Sequence, residues 1–137
     1  MGQRLILDTA VLVDWERGRL DRSQFDGDEL LMAAVTVAEF REGAELAETP
    51  ERRQKRLAVL TEIRQVVDAL DYTEVTAEHH ARLLAEVRRT GRPRGNHDLF
   101  IAAHSAETGA TVVSGDAKAR FGDLTGVTAI TPRLARD

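Results

Sequence analysis

The 137-residue sequence contains no cysteine. Disulfides, thiolate nucleophiles and cysteine-based zinc sites are thereby excluded. It also lacks a long apolar run. The longest, Leu30 to Val35, has six residues, against the ~20 that a membrane-crossing helix needs. The N-terminus has no signal-peptide shape, because the stretch Leu5-Ile6-Leu7 ends at once in Asp8. A soluble cytoplasmic protein with no membrane partner is the simplest reading. Aromatic residues make up only 4%, too few for a large base-stacking platform. A surplus of positive charge is missing too. The net charge is −4, unlike the basic footprint usual in nucleic-acid binders. There is no internal repeat, low-complexity tract or Pro/Gly/Ser-rich linker, so residues 1–137 read as one domain.

The charge that is present is unevenly spread. Arg52, Arg53, Lys55 and Arg56 form one basic cluster, and Arg82, Arg88, Arg89, Arg92 and Arg94 another. Acids gather at Glu39, Glu42, Glu45 and Glu48. A basic rim around an acidic pocket suits a phosphodiester held beside a bound metal. Each cluster taken alone is accounted for as a solvated helix face.

Hydropathy patterning predicts alternating strands and helices. Arg4 to Leu7 reads as a short buried strand ending at Asp8, and Val11, Leu12 and Trp15 mark a short helix ending near Gly18. Asp21 to Asp28 reads as a polar connection. Leu30 to Val35 is a second buried strand, followed by a helix over Thr36 to Leu46. Leu57, Leu60, Ile63 and Val67 share one helical face within Glu51 to Leu70. Asp71 to Val75 is a weak strand candidate. Thr76 to Thr90 reads as a helix stopped by Gly91. Asn96 to Thr108 reads as another, capped by Asn96 and stopped by Gly109. Thr111 to Ser114 and Val127 to Ile130 complete the strands. Short continuous apolar strands alternating with helices indicate an α/β domain, a mostly parallel sheet covered on both faces.

In such folds ligands bind beyond the carboxyl ends of the strands. Asp8 directly follows the first strand, and Asp116 follows Thr111 to Ser114 after one glycine. Glu39 falls in the first turn of the helix after the second strand, and Asp98 in the first turn of the helix capped by Asn96. Together they would form an oxygen-only pocket for Mg²⁺ or Mn²⁺, with Asp8, Glu39 and Asp98 as the leading ligands. Asp116 would bind a second ion or orient a water. Each acid also has a local explanation. Thr36-Val37-Ala38-Glu39 fits a capping box. Asp98 suits a helix dipole, and Asp116 an ordinary turn. Asp8 is hardest to explain locally, since an acid ending a buried strand needs a partner. Thr9 and Ser114 add hydroxyls at the same edge, able either to orient a carboxylate or to bond local backbone. Asn96 reads as a cap or a substrate contact, and Arg92 as a phosphate contact.

These residues resemble a known family. Leu7-Asp8-Thr9, Thr36-Val37-Ala38-Glu39-Phe40-Arg41-Glu42-Gly43, Asn96-His97-Asp98-Leu99-Phe100-Ile101-Ala102-Ala103-His104 and Val112-Val113-Ser114-Gly115-Asp116 are similar, in order and spacing, to the motifs of PIN-domain ribonucleases. The resemblance covers essentially the whole chain and is strongest to the VapC-type toxins of bacterial toxin–antitoxin pairs. It implies a PIN-like three-layer α/β/α domain, a divalent-metal site and endonuclease cleavage of single-stranded RNA. It also implies a homodimer and a cognate antitoxin that blocks it. The family's acidic residues carry onto Asp8, Glu39, Asp98 and Asp116, and its hydroxyl onto Ser114. Many relatives place Asn or Ser two positions after the first aspartate, where this chain has Ala10. Two other readings fit an α/β sheet with edge acids. A receiver-like phosphoacceptor would want an acidic pair after the first strand and a late lysine, for which Lys118 is available. A non-catalytic interaction module would keep the fold without the chemistry. Histidine metal ligation finds little support, since His79 and His80 are adjacent and His97 and His104 are two turns apart.

Overall fold

The computed structural model describes residues 2–116 and 119–136. Strand β1 (Arg4–Leu7) leads directly into helix α1 (Thr9–Glu16), and a short 3-10 turn at Arg22–Phe25 interrupts the predicted polar connection. Strand β2 (Glu29–Ala33), helix α2 (Ala34–Glu45), helix α3 (Pro50–Arg64) and strand β3 (Val67–Leu70) follow. Helices α4 (Glu74–Thr90) and α5 (Asn96–Thr108) come next, then β4 (Thr111–Val113), a second 3-10 turn at Phe121–Asp123 and β5 (Ala129–Ile130). The five strands form one sheet in the order β3-β2-β1-β4-β5. Every pairing among them is parallel.

Strand side chains alternate between two faces. Leu5 and Leu7 of β1 join Met32, Val113 and the buried residues of α1, α2 and α3, including Trp15, Phe40 and Ile63. Ile6 points the other way, joining Leu31, Val112 and the α4/α5 residues Leu83, Leu99 and Ile101. The sheet therefore has a core on each side, giving the three-layer α/β/α arrangement. Each fully buried Leu, Ile or Phe contributes about 1.5–3 kcal/mol by leaving water, which favours a sheet covered on both faces. Gly91 and Gly109 end α4 and α5 at φ 65° and 76°, a left-handed conformation that glycine adopts without a Cβ clash.

Several boundaries differ from those predicted. The second strand stops at Ala33, and α2 begins at Ala34 with no side-chain cap. The capping box expected at Thr36 to Glu39 is therefore absent. Thr36 is a buried third residue of the helix, and Glu39 sits in the second turn rather than the first. Alanine and valine extend the apolar run across the junction, so hydropathy alone could not mark it. The long helix predicted to Leu70 ends at Arg64, whose Nη1 donates to the Val67 carbonyl at 2.6 Å. Val67 to Leu70 is a strand instead, paired from Leu30↔Val67 to Ala33↔Leu70. Val67 satisfied the helical spacing, but β2 needed a ladder partner on its outer edge. Asp71 to Val75 is not a strand, since α4 begins at Glu74. Asn96 is the first residue of α5, and Gly95 occupies the cap position with no side-chain bond.

Part of the basic clustering is neutralised locally. Arg52 pairs with Glu48 at 3.4 Å, Arg53 with Glu45 at 2.9 Å and Arg56 with Glu16 at 3.1 Å. Arg56 also lies over the Phe40 ring, 5.1 Å from its centroid. The first basic cluster thus serves mainly the α1–α2–α3 layer.

Candidate metal centre

The strand order has a consequence for ligand binding. From β1 the chain moves outward through β2 and β3, then crosses back to β4 on the other side of β1. The two connections leave in opposite directions, so a crevice opens between the carboxyl ends of β1 and β4. Leu7 pairs with Val113, and the Asp8 amide donates to the Val113 carbonyl at 3.2 Å. Asp8 and Ser114 are thereby set side by side at the mouth of that crevice.

Asp8 is the N-cap of α1, and its Oδ1 accepts from the Val11 amide at 3.0 Å. Its side chain also bonds to Ser114, whose Oγ accepts from the Asp116 amide at 3.1 Å. Only 4% of Asp8 is exposed. Burial pushes its carboxyl up to about 6. The Ser114 and Val11 bonds oppose that rise, and repulsion from Asp98 and Asp116 adds to it. Asp98, on the first turn of α5, is raised for the same reasons: burial first, then the charges of Asp116 and Glu39. Gly95 leaves room for it, since a Cβ there would lie 3.2 Å from Asp98 Oδ2.

Glu39 reaches the same place from α2. Its carboxylate is held at both oxygens: Thr9 Oγ1 donates to Oε1 at 2.9 Å, and His97 Nδ1 lies 2.8 Å from Oε2. Asp8, Thr9, Glu39, His97, Asp98 and Asp116 all line one pocket of about 210 Å³, which Ala10 and Ile101 complete. All four predicted acids are therefore brought together, from four separate segments. Thr9 and Ser114 each bond a carboxylate rather than only local backbone. The lining at Ala10 supplies no hydrogen-bonding side chain.

Asn96 and Arg92 stand apart from this lining. Asn96 is exposed and borders a neighbouring hollow with Gly95, His97 and Asp98. Arg92 is exposed on the loop before α5. The loop itself is anchored by Arg94, whose guanidinium donates to the carbonyls of Arg92 at 2.8 Å and Arg120 at 3.3 Å. That second bond ties the loop before α5 to Arg120.

His97 is the site residue that sequence reasoning missed. Fifty-eight positions separate it from Glu39, counting from 39 to 97, and no local pattern links them. Its one sequence signal was adjacency to Asp98. His104, considered beside it, is buried in α5 near Glu107 instead, 3.9 Å away. Lys118, which the receiver-like reading needs, lies outside the described residues. Asp8 is followed by Thr9 and Ala10, so β1 does not end in the acidic pair that reading requires.

The donor set fits a hard divalent cation. Its four acids offer carboxylate oxygens, and Asp8 and Asp98 are raised by burial and, in lesser part, by repulsion from neighbouring carboxylates that a cation would relieve. Among the described residues no three His, Asp or Glu side chains already stand close enough together to hold a metal ion.

Residues 5–124 match the model of the PIN domain. The chain is 33% identical over 98 residues, 72% of either chain, to the tRNA(fMet)-specific endonuclease VapC of Shigella flexneri. It is 31% identical over 115 residues to ribonuclease VapC2 of Haemophilus influenzae, covering 81% of this chain and 85% of that one. The VapBC-5 toxin–antitoxin structure from Mycobacterium tuberculosis is similar with a TM-score of 0.75 at 29% identity, over 95% of this chain and 98% of that one. VapBC2 of Rickettsia felis, solved with a promoter DNA fragment, shares the fold with a TM-score of 0.81 at 19% identity, over 94% and 98%. Ribonucleases built on the PIN domain generally depend on divalent metal. The matched segment runs from β1 through the second 3-10 turn and includes every acid of the pocket, and the chain belongs to the PIN-domain family.

Proposed function

We propose that this chain is a divalent-metal-dependent endoribonuclease that cleaves single-stranded RNA. It acts as the toxin of a toxin–antitoxin pair and is neutralised by a cognate antitoxin. The observation that carries this reading is the convergence of Asp8, Glu39, Asp98 and Asp116 on one pocket at the topological switch point. The names of the VapC relatives and the toxin–antitoxin neighbours support the same assignment. RNA and a cognate antitoxin are the partners, the working form is a homodimer, and the setting is cytoplasmic. Among the described residues no helix is long and apolar enough to cross a membrane.

The four acids would hold Mg²⁺ or Mn²⁺. A bound ion would supply Lewis-acid stabilisation of the charge that develops at the scissile phosphate. The chain's own residues prepare the place. Asp8 is fixed as a helix cap, so its second oxygen has one orientation to offer. Ser114 couples it to the Asp116 loop. The N-termini of α1 and α5 both face the site, and their dipoles favour the negative charge of phosphate as well as of the acids. Arg92, exposed on the loop before α5, would grip a flanking phosphate.

The purified chain is expected to cut single-stranded RNA in Mg²⁺ or Mn²⁺ and to stop when EDTA is added. A folded chain that binds its antitoxin yet cuts no RNA in either ion would instead be a non-catalytic interaction module. Arg92→Ala is expected to weaken RNA binding about equally across sequences and to reduce the salt slope of log K by roughly 0.7, the single-strand value per contact. An unchanged slope removes Arg92 from the interface.

A further inference from the structure

Glu39 differs from the other acids in how it is held. Asp8 is placed by the backbone, as a helix cap, and Asp98 by the first turn of α5. Glu39 has no such support. It lies six residues into α2, about 7.5 Å along the axis from the helix start, at the end of a side chain with three rotatable bonds. Left alone it would sample several staggered rotamers. Two groups from two other elements restrict that freedom: the Thr9 hydroxyl from α1 donates to Oε1, and the His97 Nδ1 from α5 lies 2.8 Å from Oε2. A carboxylate is an acceptor only, so the Thr9 hydroxyl must donate. Each oxygen keeps a second lone pair, and these are free to face the pocket shared with Asp8, Asp98 and Asp116. The His97 side chain is 53% exposed while that of Glu39 is 24% exposed. A ring at the rim thus fixes a carboxylate that lies deeper.

We propose that His97 is a positioning residue of the cation site, clamping Glu39 together with Thr9 so that the carboxylate presents its remaining lone pairs to the ion. This inference rests on the metal-site reading above. Its physical basis is that a ligand held by outer hydrogen bonds loses less conformational freedom on binding, and removing such a partner typically costs roughly 10–100-fold in metal affinity. Asparagine places an amide nitrogen where the histidine places Nδ1, and it is the conservative replacement.

The test is Mg²⁺ affinity of the full chain, measured by calorimetry or by amide shifts in an NMR titration. Mg²⁺ is the probe because it disfavours imidazole as a direct ligand. His97→Ala is expected to weaken Mg²⁺ binding roughly tenfold or more, with an unchanged thermal midpoint in EDTA. His97→Asn is expected to recover most of that loss. Thr9→Val should weaken binding similarly, and the double variant should cost less than the product of the two, because either loss already frees Glu39. Unaltered affinity in His97→Ala, with Asp8→Asn abolishing binding, overturns the clamp and leaves the metal site standing. Failure of His97→Asn to recover affinity also overturns it, since the bond would not be what matters. Absence of Mg²⁺ binding in the unaltered chain removes the metal site and the clamp together.

Discussion

Asp8→Asn is expected to lower RNA cleavage by roughly a thousandfold or more, which corresponds to about 4 kcal/mol of lost transition-state stabilisation. The effect is large because Asp8 lines the pocket between the ends of β1 and β4 and is 4% exposed. Asparagine preserves the local structure. Its side-chain oxygen can still accept from the Val11 amide, so α1 keeps its cap. What is lost is the negative charge and one anionic ligand for a hard cation. Asp98→Asn should behave in the same way, retaining its place at the start of α5. The measurement is single-turnover cleavage of a single-stranded RNA in Mg²⁺ and in Mn²⁺, beside circular dichroism as a check on folding. Full activity in either variant would end the assignment of these acids to the metal site.

The second expected result concerns stability without metal. Burial pushes the Asp8 carboxyl up to about 6 in the folded chain, from the ordinary 3.8. At 1.36 kcal/mol for each tenfold change in proton affinity, this group alone is linked to about 3 kcal/mol of stability. The sign follows from where the proton resides. The folded state holds it more tightly than the unfolded state, so the stabilisation is fully present below pH 3.8 and is lost as pH rises through about 6. Asp98 is shifted in the same direction and reinforces the trend. In EDTA, the unaltered chain should therefore fall behind Asp8→Asn as pH rises from 4 to 8, with most of the gap opening between about pH 4 and 6. Urea midpoints at several pH values check this, and the difference between the two proteins isolates Asp8 from the other acids. Mg²⁺ should then raise the midpoint of the unaltered chain at neutral pH, since a ligand that binds only the folded state stabilises it by mass action. A gap that stays constant across pH would show that ionised Asp8 is not strained in the native pocket.

Both expectations belong to one physical trade. A site that gathers carboxylates at a sheet edge is uncomfortable when no cation shares it. Burial is the main cause of the raised Asp8 and Asp98 carboxyls, and the carboxylate repulsion that adds to it makes the pocket attractive to a divalent ion. Ser114 and Thr9 moderate the strain by donating hydrogen bonds, and the helix N-termini add favourable partial charge.

The sequence by itself determined the fold class, the alternation of strands and helices, and the identity of the four acids. Those features are local: short apolar runs, glycine stops at 91 and 109, and acids directly after strands or at the start of helices. Local signals were also where it erred. Ala34 and Val35 continued an apolar run past the end of β2, and Val67 kept a helical spacing inside a strand, because hydropathy records burial and not backbone geometry. Only the tertiary structure decided that Val67 to Leu70 pairs with β2, that the switch point lies between β1 and β4, and that Glu39 belongs to the pocket from the second turn of α2. It alone brought His97 to Glu39. Contacts between residues so far apart in sequence exist only once three helices have packed against the sheet, and no pattern along the chain encodes that distance.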